Sequence, residues 1–179
     1  MDIQLDSKLI ERLFPEFPRT LDKKRFSEVF NALAENFLLS TAKDDESAIL
    51  RVSHFLGQVC VDSLCFARSE HRKGRGKYKG RGFMQCEGVA DYLALSSWWY
   101  GDFRLAEMPN LVSDNIELRF VSAFWRWNTR GCNTIADKDN YMDLTRLLHD
   151  GAAKGFVTRV QVTENIKKTL RARYGKFKE

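Results

Sequence analysis

The apolar residues of this chain recur at intervals of three and four, the spacing that places side chains on one face of an α helix. In the segment 22–39 this face consists of Phe26, Val29, Phe30, Leu33, Phe37 and Leu38. The same spacing predicts further helices over 5–14, 45–68, 87–98, 114–128, 138–149 and 156–173. The glycine-rich stretch between the predicted helices 45–68 and 87–98 interrupts the pattern. We therefore expect a mainly α fold with a small β-hairpin or loop region at about 71–86.

The length favours one domain. A chain of 179 residues with 44% hydrophobic residues can fill a sizeable core, so we expect a single domain over 1–179 with N-terminal helices within 1–40. No apolar run approaches the roughly 20 residues of a membrane-spanning helix. The N-terminus lacks the basic start and apolar stretch of a secretory signal. The expectation is a protein made in the cytoplasm without a signal peptide.

The charge favours polyanionic partners. The net charge is +5, and residues 72–81 hold six Lys or Arg in ten positions. This basic run is either a solvated loop or a contact surface for nucleic acid, lipid or cell-wall polymer. Nucleic acid is not the expected partner, because only Tyr78 within the run can stack on bases and no known DNA- or RNA-binding motif is present.

The cysteines and histidines do not predict a metal site. None of the four cysteines forms a C-x-x-C pair, and the three histidines are scattered, so we expect neither metal nor cofactor. Cys60 and Cys65 lie in an apolar helical stretch. They are expected to be reduced thiols that serve as small core residues.

One carboxylate stands out on an apolar helical face. Phe55, Val59, Asp62 and Phe66 are spaced four, three and four apart, so they share one stripe of a helix. An unpaired buried carboxylate is costly. Asp62 is therefore either bound to an arginine, or at a stripe edge that faces solvent, or in a cleft where it serves as a general acid.

Three more acidic residues, Glu70, Glu87 and Asp91, flank the glycine-rich segment 80–85. Glu87 and Asp91 are four residues apart on one helical face, where like charges repel slightly. They form either a solvated surface pair or part of a functional surface.

The segment 80–85, G-R-G-F-M-Q, followed by Gly88 and Tyr92, resembles the G-R-G-(F/P)-(I/L)-Q signature of glycoside hydrolase family 19. Three other stretches resemble that family in the same order. The segment 55–66 is similar to its F-L-A-Q-x-x-H-E-S-G-G-F helix. The segment 108–112, with A-F-W at 123–125 and Gly131-Cys132, is similar to its N-P-E-L segment and A-W-F-W helix. The fourth stretch runs from Thr145-Arg146 through Asp150-Gly151 to Gly155 and Arg159, and is similar to T-x-x-I-N-G-G-x-N-G-x-x-x-R.

The resemblance covers roughly 50–170 and is closer in length and style to phage endolysins than to plant chitinases. It implies a monomeric, lysozyme-like helical domain with a sugar-binding cleft. The implied partner is peptidoglycan or a chitin-like glycan, whose β-1,4-linked N-acetylhexosamines would be hydrolysed by an inverting acid/base mechanism. Such an enzyme would act at the cell wall or periplasm after release by phage lysis or a secretion system.

The resemblance also assigns residues. Asp62 stands where the family has the glutamate that serves as its general acid, and Val61 stands where the family has the preceding His. The base lies eight or nine residues later, at Glu70 or His71; endolysin spacing points to His71, and Glu70 fits only with a one-residue slip. Glu87 replaces a water-positioning Ser or Thr. The catalytic residues so predicted are Asp62, Glu87 and Glu70.

The predicted substrate-binding residues are Gln85, Asp91, Tyr92, Asp150 and Arg159. Asp91 and Asp150 replace asparagines of the family, which predicts a more acidic cleft. Arg81 is expected to be a structural clamp. Two interpretations follow from the departures: a rebuilt catalytic site, or a catalytically degenerate relative that binds glycan or a protein partner.

Overall fold

The computed structural model of the protein describes residues 3–71 and 76–175, and within these ranges it contains ten α helices and no β strand. The mainly α fold expected from the periodicity is confirmed. The helices are α1 (Ser7–Leu13), α2 (Lys23–Ala34), α3 (Asp45–Asp62), α4 (Val89–Tyr100), α5 (Arg104–Glu107), α6 (Leu111–Asp114), α7 (Ile116–Thr129), α8 (Cys132–Ala136), α9 (Tyr141–Leu148) and α10 (Phe156–Tyr174). A π-helical turn, Glu35–Leu39, continues α2.

Helix α3 is the central element. Asp44 caps its N-terminus by accepting a hydrogen bond from the backbone N–H of Ser47 at 2.7 Å, and Asp45 and Glu46 occupy the first turn, where acids suit the helix dipole. Every residue from 48 to 60 is buried. The helix therefore crosses the core and delivers its last residue, Asp62, to the protein surface.

The core around α3 is rich in phenylalanine. Phe55 of α3 stacks on Phe124 of α7 with ring centroids 4.2 Å apart. Next to this pair, further rings pack mostly edge to face, as aromatic rings prefer: Phe14, Phe17, Phe26, Phe66, Phe83 and Phe120. These rings join the N-terminal helices to the glycine-rich turn, so α1 and α2 pack on the same core as α3 and α7.

Helices α3 and α10 approach each other closely at Gly57. A Cβ atom built on Gly57 would lie 2.0 Å from Oγ1 of Thr163 on α10. Only glycine permits this separation. The close approach places the C-terminal part of α3 beside the first turns of α10, where Arg159 lies.

Replacing Gly57 by alanine is therefore expected to destabilise the fold by about 1–3 kcal/mol, the usual cost of overpacking a core. The added methyl group would force α3 and α10 apart. Urea unfolding would measure the loss. Adding Thr163→Ala should recover part of it, because the nearest atom is then removed; equal stability of Gly57→Ala and the parent chain would contradict this account.

The segment predicted as a hairpin or loop contains two isolated antiparallel bridges, from Arg81 to Glu70 and to Cys86. Residues 72–75, the first four of the basic run, lie outside the described residues. Among the helices that the structure describes, none has both the length and the hydrophobicity needed to cross a membrane.

Candidate active site

A cleft of about 450 Å³ opens where α3 ends, between the glycine-rich turn and the segment that joins α9 to α10. Its wall includes five of the eight predicted site residues: Asp62, Gln85, Glu87, Asp150 and Arg159. Residues from four distant parts of the sequence therefore meet at one place, as the motif resemblance predicts. Within the described ranges, no group of three or more His, Cys, Asp and Glu is arranged to hold a metal ion.

Asp62 lies in the cleft wall, with 12% of its side chain exposed, and is paired with Arg159. Nη2 of Arg159 donates to Oδ1 of Asp62 at 2.5 Å. The same guanidinium donates to the backbone and side-chain oxygens of Gln58 and to the carbonyl of Lys154. Arg159 is thus held in place and fixes the Asp62 carboxyl group, so two of the alternatives for Asp62 hold together: it borders a cleft and binds an arginine.

The helix predicted to reach residue 68 ends at Asp62. Oγ of Ser63 donates to the carbonyl of Val59 at 2.7 Å and accepts from the N–H of Phe66 at 2.8 Å. Leu64, Cys65 and Phe66 then have positive φ angles of 51°, 49° and 69°. This left-handed turn redirects the chain immediately after Asp62.

The same turn corrects the expectation of two reduced thiols. Cys60 and Cys65 are joined by a disulfide that closes the turn around Asp62. A regular helix would have carried the two side chains apart, whereas the reversal at residues 64–66 brings them together. The other two cysteines, Cys86 and Cys132, are free and buried, and burial raises the pKa of the Cys132 thiol to about 12.

Leu64 occupies a left-handed conformation at which the family motif has glycine. The side chain is 54% exposed, so it contributes little packing. We expect Leu64→Gly to stabilise the protein by about 0.5–1 kcal/mol, because glycine adopts positive φ without the steric cost of a Cβ. Leu93→Gly is the matched control: Leu93, 37% exposed, lies inside α4, where glycine should destabilise by about 1 kcal/mol. Thermal unfolding of both variants tests the contrast, and a loss of stability in Leu64→Gly would contradict it.

Arg81 is the clamp that its position between two glycines predicts. It is buried and donates hydrogen bonds to Glu70, to the carbonyls of Lys77 and Lys79, to the hydroxyl of Tyr92 and to Asn110. These contacts hold the turn over residues 80–86. Gly82 is required there, since its φ is +77° and an added Cβ would lie 2.0 Å from Oγ of Ser122.

Glu70, predicted as a catalytic residue, is bound by this clamp and does not line the cleft. Both Lys79 and Arg81 form ion pairs with the Glu70 carboxylate. The hydrogen bond from Lys79, together with the positive charges of Lys79 and Arg81, lowers the pKa of Glu70 and makes it a weak base. His71, the alternative given by endolysin spacing, does line the cleft.

Tyr92 and Asp91 were predicted to contact substrate, and neither lines the cleft. Tyr92 is fully buried; its hydroxyl accepts from Arg81 and donates to the carbonyl of Lys79 at 2.8 Å. Burial raises the pKa of Tyr92 to about 12. Asp91 pairs with Arg126 at 3.3 Å, and Arg126 is the member of this pair that reaches the cleft. Both residues therefore contact groups next to the cleft without lining it.

Gln85 and Glu87 reach the cleft from the same turn. Nε2 of Gln85 donates to the carbonyl of Gly82 at 3.0 Å, which aims the side chain, while Oε1 is buried without a hydrogen-bond partner in the described structure. Glu87 is exposed and forms no ion pair with any described residue. Its carboxylate is therefore free to meet a ligand.

His149 is a cleft residue that the sequence analysis missed. Its Nε2 is buried and lies 3.7 Å from Oδ1 of Asp62. Burial lowers the pKa of His149, so the imidazole is neutral at pH 7. Asp150, in contrast, is 78% exposed and pairs with Arg130 at 3.0 Å, so it lies at the rim.

The signal for His149 was present in the motif. Counting forward from Thr145 along T-x-x-I-N-G-G puts His149 at the family's Asn, whereas counting back from Gly155 and Arg159 puts Asp150 there. The side-chain positions favour the forward count. The chain therefore has one extra residue between this position and Arg159.

The cleft lining holds more basic than acidic residues. Its lining contains four basic residues, Arg68, Arg126, Lys154 and Arg159, and three acidic residues, Asp62, Glu87 and Asp150. Asp91 and Asp150, the two carboxylates expected to replace asparagines, are each paired with an arginine. Their charges are thereby offset.

No family model matches the sequence. A curated Haemophilus influenzae protein described as a glycosyl hydrolase family 19 domain-containing protein is 30% identical over 83 residues, which are 46% of this chain and 38% of that protein. The aligned part therefore spans well under half of the relative's length.

Solved structures match almost the whole chain. A bacterial family 19 chitinase superposes with a TM-score of 0.75 at 16% identity, covering 92% of this chain and 94% of the other. Chitinase C from Streptomyces griseus superposes with a TM-score of 0.74 at 15% identity, covering 92% of this chain and 76% of the other. The resemblance read from the four motifs is thus confirmed, and the chain has the lysozyme-like helical fold of the family 19 chitinases.

Proposed function

We propose that this protein is a glycoside hydrolase that cleaves β-1,4-linked N-acetylhexosamine polymers by an inverting mechanism. The observation that carries the proposal is the meeting of Asp62, Gln85, Glu87 and Arg159 in one cleft. The fold shared with family 19 chitinases supports the same class of reaction.

In this mechanism Asp62 is the general acid. Arg159 holds Oδ1, and Oδ2 has no hydrogen-bond partner among the described residues, so Oδ2 is the oxygen available to protonate the glycosidic oxygen. Glu87 is the general base: its carboxylate accepts a proton from water, and the oxygen of that water attacks the anomeric carbon as the glycosidic bond breaks. Gln85, which lines the cleft beside Glu87, orients the sugar.

One observation favours a second candidate, a catalytically degenerate protein that binds glycan. Oδ1 of Asp62 accepts a hydrogen bond from the guanidinium of Arg159, an arrangement typical of a structural ion pair. In that case the cleft would hold sugar without cleaving it.

Permeabilised bacteria and soluble chitin oligosaccharides distinguish the two candidates. A hydrolase lowers the turbidity of the cells or shortens the oligosaccharides, and a binding protein is retained on the glycan without either effect. If the protein neither cleaves nor binds these glycans, both candidates are wrong. We propose that the protein acts at the bacterial cell wall, which it reaches after phage lysis or through a secretion system.

A further inference from the structure

Three side chains of the cleft have buried polar atoms without a hydrogen-bond partner in the described part of the chain: Nε of Arg68, Oε1 of Gln85 and Nε2 of His149. Buried polar groups in folded proteins almost always have a partner. Of the three side chains, Arg68 is the one that carries a charge, and no described residue accepts a hydrogen bond from its Nε.

Arg68 differs from the other arginines of the cleft. Arg159 is paired with Asp62 and Arg126 with Asp91, but no carboxylate of a described residue lies within 4 Å of Arg68 or of Lys154. Glu87 is the acidic lining residue without an ion pair within the same ranges. The unpaired charges of the cleft are thus two positive and one negative, an excess that suits an anionic ligand.

The fold sets the position of Arg68. Its backbone N–H donates to the carbonyl of Ser63 at 2.7 Å, which ties it to the end of the left-handed turn that follows Asp62. The side chain is half-buried against the cleft, and its Nε donates no hydrogen bond to any described residue. A guanidinium presents parallel N–H groups that match the two oxygens of a carboxylate.

We propose that Arg68, assisted by Lys154, forms a subsite for a carboxylate carried by the glycan, and so selects acidic N-acetylhexosamine polymers over neutral ones. This inference rests on the proposed function, because it assigns the substrate class of the same cleft. A neutral chitin chain offers Arg68 no anion, whereas a sugar with an acidic substituent pairs with the charge left free by the protein.

The test compares two tetrasaccharides with the same β-1,4-linked N-acetylhexosamine backbone. One is neutral, and the other carries a lactyl carboxylate on alternate sugars; a third probe is the acidic tetrasaccharide after its carboxylates have been converted to amides. Binding is measured by calorimetry at low temperature with the full chain, Arg68→Gln and Arg68→Lys. The matched control is Arg25→Gln, since Arg25 is an exposed arginine on α2, outside the cleft.

We expect the parent chain and Arg25→Gln to bind the acidic tetrasaccharide about tenfold more tightly than its amide, an effect typical of one charge-assisted hydrogen-bonded pair. Arg68→Gln should lose this difference, with a much smaller change in its binding of the neutral tetrasaccharide, and Arg68→Lys should retain part of it. Circular dichroism confirms that the variants are folded.

Three results overturn the proposal, and they differ in whether the proposed function fails as well. If the parent chain binds and cleaves the neutral tetrasaccharide but does not distinguish the acidic one from its amide, the Arg68 subsite is wrong and the proposed function stands. If the parent chain binds none of the three probes, the proposed function fails and the subsite fails with it. An equal weakening of all probes by Arg68→Gln would also overturn the subsite.

Discussion

Replacing Asp62 by asparagine is expected to lower the hydrolysis rate by about 10²–10⁴-fold, the usual contribution of a general acid or base. Asparagine has nearly the same shape, and its amide oxygen can still accept the hydrogen bond from Arg159 that Oδ1 of Asp62 accepts at 2.5 Å. The variant should therefore fold and bind glycan while losing the transferable proton. Initial rates on the tetrasaccharides measure the effect.

The control for this substitution is Asp114→Asn. Asp114 is exposed at the end of α6, and it does not line the cleft. Its removal should leave the rate unchanged. Full activity in Asp62→Asn would rule out Asp62 as the acid and would leave the ion pair with Arg159 as a purely structural contact.

The second large effect is expected for Glu87→Gln, which should remove most of the activity while leaving stability nearly unchanged. Glu87 is exposed in the cleft and makes no ion pair with a described residue, so its carboxylate contributes little to folding. A glutamine at this position can still orient water but cannot accept its proton. Rates and thermal unfolding, measured together, separate the two effects.

Glu70→Gln provides the matched comparison, because here the larger expected effect is on stability and the smaller one on activity. Glu70 is outside the cleft and pairs with the buried Arg81, so its loss should weaken the turn and lower stability more than activity. Glu107→Gln, an exposed substitution on α5, should change neither. If His71→Gln abolishes activity and Glu87→Gln does not, the base is His71, at the position given by endolysin spacing.

Helix positions were predictable from the sequence because apolar spacing records which face of each helix is buried. Helices α4, α7 and α10, and α2 together with the π-helical turn that continues it, begin and end close to the predicted limits. The end of α3 was not predictable from spacing, since Phe66 continues the apolar stripe beyond Asp62. The hydrogen bonds of Ser63 and three left-handed residues end the helix there.

The residues that line the cleft were predictable where the motif fixes their spacing. They were not predictable where contacts between distant segments determine whether a side chain reaches the cleft. Asp62, Gln85 and Glu87 lie in the cleft as the motifs indicate. Glu70 and Tyr92 lie close to these residues in sequence but are bound by Arg81, whose five acceptors come from separate segments.

His149 illustrates a different limit. A one-residue insertion between Thr145 and Arg159 allows two alignments to the family motif, and residue types alone do not choose between them. The structure favours the alignment that places His149 at the family's Asn, because the His149 side chain lies beside Asp62 while Asp150 extends toward Arg130.

The anomeric form of the first hydrolysis products tests the central claim most directly. Proton NMR of the parent chain acting on the tetrasaccharides records the new reducing ends before they equilibrate in water. Inversion at a β-linked sugar predicts that the α anomer accumulates first, and that Asp62→Asn yields neither anomer at an appreciable rate. Initial release of the β anomer would contradict the inverting mechanism, and the absence of any product from either tetrasaccharide would contradict the assignment of this cleft as a hydrolase site.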